Sequence, residues 1–138
     1  MSQGNVDLVY RIADAFNRRD LDTYLALTDE GVEAIPRMGA MEGGYHGHDG
    51  ARRLWTDWLG AFPDFSIEFY VRDIGENLTL AAARARGRGA GSDTPIEQEV
   101  WQVARWRRGR CLWWAHFDTR AEALEGVGLS EQDAHADS

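Results

Sequence analysis

Apolar positions recur every three or four residues in three early stretches of the chain, then switch to every second residue for most of the remaining sequence. Val6, Val9, Ile12, Ala13 and Phe16 fall on one side of a predicted helix, with Asp7, Arg11, Asp14 and Arg18 opposite. Asp20 is placed to cap a second, short helix whose apolar side is Leu21, Tyr24, Leu25 and Leu27. Residues 29 to 37 read as a strand that Pro36 interrupts, which suits an edge or an exit. Five glycines between 38 and 50 predict a loop. A third helix is expected from Asp49 to Phe62, stopped by Pro63, with Ala51, Leu54, Trp55, Trp58, Leu59 and Phe62 on one side.

Alternation then takes over. Phe65, Ile67, Phe69 and Val71 alternate with Ser66, Glu68, Tyr70 and Arg72. Turns at Gly75-Glu76-Asn77, Gly91 to Pro95 and Arg108-Gly109 separate strands expected over 78–89, 96–107 and 110–117. Asp118 is the expected cap of a closing helical turn that ends at Gly126 and Gly128. Short connections force the last four strands to run antiparallel. Helices on one side of such a sheet define an α+β layer fold, and a sheet curling around them leaves a conical cavity. No internal repeat or linker appears, so residues 1–129 read as a single domain. Residues 130–138 read as an acidic, disordered tail.

Composition narrows the function classes. With 138 residues and 43% apolar content the chain can build a core. A net charge of −8, with all 15 bases Arg, argues against nucleic acid as a partner. Arg-only usage with abundant Ala and Gly matches a GC-rich genome. No run approaches the ~20 apolar residues of a membrane helix, and the start lacks a basic-then-apolar leader. A soluble, cytoplasmic protein without membrane contact is the simplest expectation. The single cysteine, Cys111, excludes an internal disulfide and a Cys-based zinc cluster. Six Trp point to large flat side chains in a core, a pocket or a subunit contact.

Several stretches then carry a resemblance: Phe16-Asn17-Arg18-Arg19-Asp20-Leu21-Asp22, Tyr45-His46-Gly47-His48-Asp49-Gly50, Phe62-Pro63-Asp64-Phe65, and Phe117 to Leu124 followed by Gly128-Leu129. In this order they resemble the nuclear transport factor 2-like superfamily, in its SnoaL-like (polyketide cyclase-like) branch. The resemblance implies a cone in which N-terminal helices pack in a strongly curved mixed or antiparallel sheet around a pocket. It says little about function, because one cone hosts isomerases, hydrolases, cyclases, dehydratases and non-catalytic proteins. Each stretch also has a plain reading: Asn17 to Asp20 as a helix stop and cap, Gly47 and Gly50 as a tight lead into a helix.

Matched onto characterised members of the fold, the positions of ketosteroid isomerase's tyrosine, base and acid fall on Ile12, Ile35 and Gln102. Two of the three are aliphatic, so that mechanism lacks its parts. The Asp-Arg-Asp set of limonene epoxide hydrolase falls near Ala81 to Ala85, where no Asp occurs. The aspartate that relatives carry on the last strand falls on Ala115 counted from Asp118, or on His116 counted from Gly109. A one-residue slip exchanges the faces of a strand. Either Trp113, Ala115 and Phe117 face the cavity, or Trp114 and His116 do. His116 inside would be a candidate proton acceptor; outside, it would belong to a subunit contact.

Ala81, Ala83, Ala85, Gly87 and Gly89 form a face almost free of side chains, either concave with room for a ligand or convex with close subunit packing. Arg84, Arg86 and Arg88 lie on the other face, with Glu97 and Glu99 placed to pair with them. Val100, Gln102, Ala104 and Trp106 share a face, concave by the isomerase match, where Gln102 can orient a carbonyl or hydroxyl. Tyr45, His46 and His48, with Met38 and Met41, form either an entrance lid or an ordinary helix lead-in. Glu33 and Arg37 share the face of Ile35 near the opening. No metal is expected, and no cofactor motif is present.

The site expected from these readings has His116 and Gln102 as catalytic residues. Tyr45, Arg37, Glu33, Ile12, Ile35, Trp58, Trp113 and Trp106 are the expected substrate contacts. The expected function is cofactor-independent acid–base chemistry of cyclase, isomerase or hydrolase type on an apolar oxygenated small molecule such as a polyketide or terpenoid. The alternative is a non-catalytic ligand-binding or dimer-forming domain. A homodimer through the convex sheet face, using Trp101, Val103 and Trp114, is the expected protein partner.

Overall fold

A computed structural model of the chain describes residues 2–36, 44–89, 91 and 95–130. The order is α1 (Ser2–Asn17), α2 (Leu21–Ala26), β1 (Thr28–Ile35), β2 (Tyr45–His46), α3 (Gly47–Ala61), β3 (Ser66–Gly75), β4 (Leu78–Arg88), β5 (Pro95–Arg107), β6 (Arg110–Phe117) and α4 (Arg120–Glu125). One six-stranded mixed sheet has the order β2-β1-β6-β5-β4-β3. Its last four strands in sequence are antiparallel, as their short turns require, and β1 joins β6 in parallel. No described helix is long and apolar enough to cross a membrane.

The Asn17-to-Asp20 stretch does more than stop one helix and start another. Asp20 caps α2 through Thr23 N–H (3.1 Å) and the Thr23 hydroxyl (2.7 Å). Asn17 pairs with the backbone of Ile67 in both directions, at 2.8 Å each way. Val71 N–H donates to the Tyr10 hydroxyl at 3.1 Å. Because β3 is an edge strand, these side chains satisfy backbone groups that would otherwise invite another strand, and they moor α1 across that edge. Arg19, in the left-handed region at φ 62, donates to the carbonyls of Phe16, Pro63 and Phe65, tying the end of α1 to the α3–β3 junction.

Three expectations change here. The stretch before α3 is not all loop: Tyr45–His46 pairs with β1, and α3 begins at Gly47, ahead of Asp49. Gly50 lies so close to this strand that a Cβ would come within 2.9 Å of the Tyr45 carbonyl carbon. The cap of α4 is Thr119, one residue after Asp118. Its extended backbone lets Oγ1 accept from Glu122 N–H at 3.1 Å, the Thr-x-x-Glu arrangement of a capping box.

The third change concerns the outer face of the sheet. Val103 is buried and Trp101 half-buried, so they form no open apolar patch, and Trp114 is on the inner face. Helix α4 folds back on the outer face, where Ala123 and Leu124 pack with Ile74, Leu80 and Val103, all fully buried. Trp101 sits at the edge of this cluster beneath the Arg120 guanidinium (5.8 Å). Further along the outer face, Arg84 pairs with Glu97 and Glu99, and Arg86 with Glu97. Arg37, Met38, Met41, the turn at 92–94 and residues 131–138 lie outside the described residues.

If α4 is the cover of the outer face, Leu124→Ala lowers stability by about 2–5 kcal/mol and Thr119→Ala by about 1 kcal/mol in urea unfolding. Wild-type stability in Leu124→Ala would remove that role for α4.

Candidate active site

The inner face of the sheet and the three N-terminal helices enclose one hollow. Its volume is about 50 Å³. Its room comes from β4. Ala81 and Ala83 are buried on the inner face, so the small-residue side is concave. Opposite it, α1 supplies Val9, Ile12, Ala13 and Phe16, and α3 supplies Leu54 and Trp58. The aromatic side chains interlock by their edges: Phe16 meets Trp55 at 4.7 Å and Phe65 at 5.4 Å between ring centres.

Strands β5 and β6 bring the polar groups. Gln102 and His116 stand directly opposite each other in the antiparallel pair, and Gln102 Oε1 lies 3.1 Å from His116 Nε2. The His116 ring stacks on Trp58 (6.3 Å, 29°) and leans on Trp114 (5.0 Å). His116 therefore faces the hollow, and so does Trp114. The reason is local. Cys111 pairs with Trp106 but Trp113 pairs with Arg105, so β6 has one extra residue between them, a bulge at Leu112. Cys111, Trp114 and His116 all line the hollow even though their numbers differ in parity.

The other polar wall atoms are mostly engaged or neutral. Trp106 Nε1–H donates to the Thr79 hydroxyl at 2.9 Å, and the Thr28 hydroxyl donates to the Leu25 carbonyl at 3.0 Å. Burial raises the Tyr24 phenol above its ordinary range and pushes the Cys111 thiol up to about 12. Trp58 Nε1–H is buried without a hydrogen-bond partner, a state that costs about 1–3 kcal/mol inside a protein. None of the described residues lining the hollow is Asp, Glu, Lys or Arg.

Desolvation pulls His116 from its usual value down to about 3. The imidazole is therefore neutral around pH 7. A neutral imidazole can accept a proton or a hydrogen bond but has no acidic proton to give at that pH. An anionic ligand beside the ring would raise it again by Coulombic attraction.

Five of the residues expected from the sequence converge on the hollow: Ile12, Trp58, Gln102, Trp106 and His116. Tyr45 does not border it; the phenol donates to Asp57 at 2.7 Å and Arg53 sits over the ring, so Tyr45 joins β2 to α3. Glu33, Ile35 and Trp113 lie on the opposite face. In β1 it is Val32 and Ala34 that point into the core, while Glu33 and Ile35 register with Trp113 and Ala115. Glu33 approaches His46 at 3.7 Å, and Trp113 packs beside Arg105. His48 Nε2 lies 3.0 Å from the Thr28 carbonyl oxygen. Among the described residues no group of three or more His, Cys, Asp or Glu is placed to hold a metal ion. Sequence reasoning did not place Phe16, Tyr24, Phe65, Phe69 or Cys111 in the wall. Their apolar periodicity marked most of them as core, without distinguishing core from cavity lining.

A curved mixed sheet wrapped around N-terminal helices, with an apolar hollow between them, defines the nuclear transport factor 2-like class. Within it, the family model of the SnoaL-like domain matches residues 9–116, and the chain belongs to that family. No curated protein matches the sequence significantly. Solved structures share the fold at low identity. An NTF2-like protein of unknown function from Burkholderia pseudomallei superimposes with a TM-score of 0.74 at 20% identity, over 93% of this chain and 99% of that one. IdmH, a putative polyketide cyclase from Streptomyces antibioticus, gives 0.70 at 20% identity, over 90% and 98%. TerC, co-crystallized with polyporic acid, gives 0.73 at 13% identity, over 88% and 96%.

The lowered basicity of His116 has a consequence for stability. The unfolded chain takes up the imidazole proton near pH 6.5, whereas the folded chain resists it down to about 3. The folded state therefore loses stability as pH falls through that interval and keeps it above. Urea midpoints at pH 7 and pH 4.5 should differ more in the wild type than in His116→Gln. Equal pH sensitivity in the two proteins would contradict a desolvated imidazole.

Proposed function

We propose that this chain binds an apolar, oxygenated, ring-bearing small molecule in the hollow, and that His116, oriented by Gln102, accepts a proton from it. The observation that carries the reading is the Gln102–His116 pair at 3.1 Å in a wall otherwise built of apolar and aromatic side chains. Such walls exclude water and recognise flat hydrophobic ligands, while one or two polar groups fix orientation. IdmH, a putative polyketide cyclase, and TerC, crystallized with polyporic acid, lend support as proteins of the same fold.

A base as weak as His116 suits a substrate that is itself acidic, such as an enol or phenol whose negative charge is spread onto a conjugated carbonyl. Proton removal from such a group begins isomerisation, cyclisation or elimination, and it needs no cofactor. The lack of any carboxylate among the described wall residues favours a second reading, a binder that sequesters such a molecule without turning it over.

Trp58, Trp106 and Trp114 line the hollow, so tryptophan fluorescence reports its occupancy. Hydroxylated naphthalene and quinone probes should quench it with saturation. With a substrate found by screening, His116→Ala should abolish turnover with little change in melting temperature. Unaltered turnover in that variant would remove the mechanism, and saturable binding without turnover in the wild type would favour the binder.

A further inference from the structure

Past His116 the inner face of the sheet holds more space. Trp58 and His116, which line the hollow, also border a side compartment of about 10 Å³ whose wall includes Ala85, Gln98 and Val100. A second compartment of the same size adjoins it. Ala85 and Gln98 border both, and Gly87 and Ile96 belong to the outer one, where Ile96 is 45% exposed. Each has room for about one group the size of a water molecule or a methyl. Protein interiors keep few voids that large. Here two lie in line, from the imidazole proposed to meet the ligand to the ends of β4 and β5. The register of these strands is the cause: Ala85 stands opposite Gln98 as Ala81 stands opposite Gln102, so β4 offers only a methyl against each amide of β5. A larger side chain at position 85 would fill the space beside His116.

We infer that the compartment beside His116 receives a small apolar substituent next to the ligand's hydroxyl, and that Ala85 is the residue that sets this specificity. The inference rests on the reading of the hollow as a small-molecule site and narrows what enters it. A hydroxyl held at the imidazole brings the neighbouring ring carbon to the rim that Trp58 and His116 share with the compartment. A methyl on that carbon then occupies space that an unsubstituted ring leaves empty. The wall favours hydrocarbon, since Trp58, Phe65, Ile67, Ala85 and Val100 outnumber the two polar residues. Filling such a gap removes the methyl from water and restores contacts that its lining otherwise lacks. Ala85 makes no bond to the ligand and acts through shape alone.

The test compares three probes by calorimetry: 2-naphthol, 1-methyl-2-naphthol and 3-methyl-2-naphthol, which share rings and hydroxyl and differ in a methyl on either side of it. In wild type one methylated probe should bind about fourfold more tightly than 2-naphthol, the worth of one buried methyl group. Ala85→Val fills the compartment with a residue that suits a strand. It should bind 2-naphthol within about twofold of wild type and lose the methyl advantage. Should Ala85→Val fold poorly, Ala85→Ser adds a single heavy atom at the same place, and the advantage should fall there too. A methyl advantage retained in the folded variant overturns the inference. So does a wild type in which neither methylated probe exceeds 2-naphthol, and both results leave the binding site itself intact. If wild type binds none of the three, the reading of the hollow fails and the inference falls with it.

Discussion

The site depends on one extra residue in the last strand. The two-residue turn at Arg108-Gly109, both in the left-handed region, closes β5 onto β6 with Arg107 opposite Arg110. Continued without interruption, that register would point Cys111, Trp113, Ala115 and Phe117 inward and leave His116 outside. The bulge at Leu112 restarts the alternation. Trp114 and His116 then turn into the hollow, and His116 lands opposite Gln102. Trp113 turns outward to meet Arg105, and Phe117 joins the cluster beneath α4.

The two faces of the sheet divide the work. On the outside, α4 buries Ile74, Leu80 and Val103, giving the curved sheet a second hydrophobic layer. On the inside, the alanines of β4 leave space that the helices do not refill, because their large side chains meet one another first: Phe16 against Trp55, and Trp58 against Phe65. The hollow is therefore walled by rings packed edge to face, which resist collapse better than flexible aliphatic chains. That same apolar wall strips water from His116 and keeps it neutral, so the packing that makes the cavity also sets the protonation state of its polar group.

The mooring of α1 on β3 belongs to the same design. Asn17 and Tyr10 hold the backbone of Ile67 and Val71 on the sheet's edge strand, which moors the helix to the sheet across the cavity. Asn17 and Asp20 are legible in the sequence as a stop and a cap, since those roles are local. The grip of Asn17 on Ile67, 50 residues away, is not local and could be seen only after folding.

The order of the helices and the long strands, the antiparallel meander and the cap at Asp20 were determined by the sequence itself, because periodicity, turn residues and short connections act over a few neighbours, whereas the two-residue strand at Tyr45–His46 was not. The gathering of Ile12, Trp58, Gln102 and Trp106 around one hollow was legible in part, since each lies on an apolar face whose direction the alternation sets. The side taken by His116, Glu33, Ile35 and Trp113 was decided by tertiary structure alone. A strand's two faces differ by a single step, and a bulge that changes the step leaves no compositional mark at Leu112.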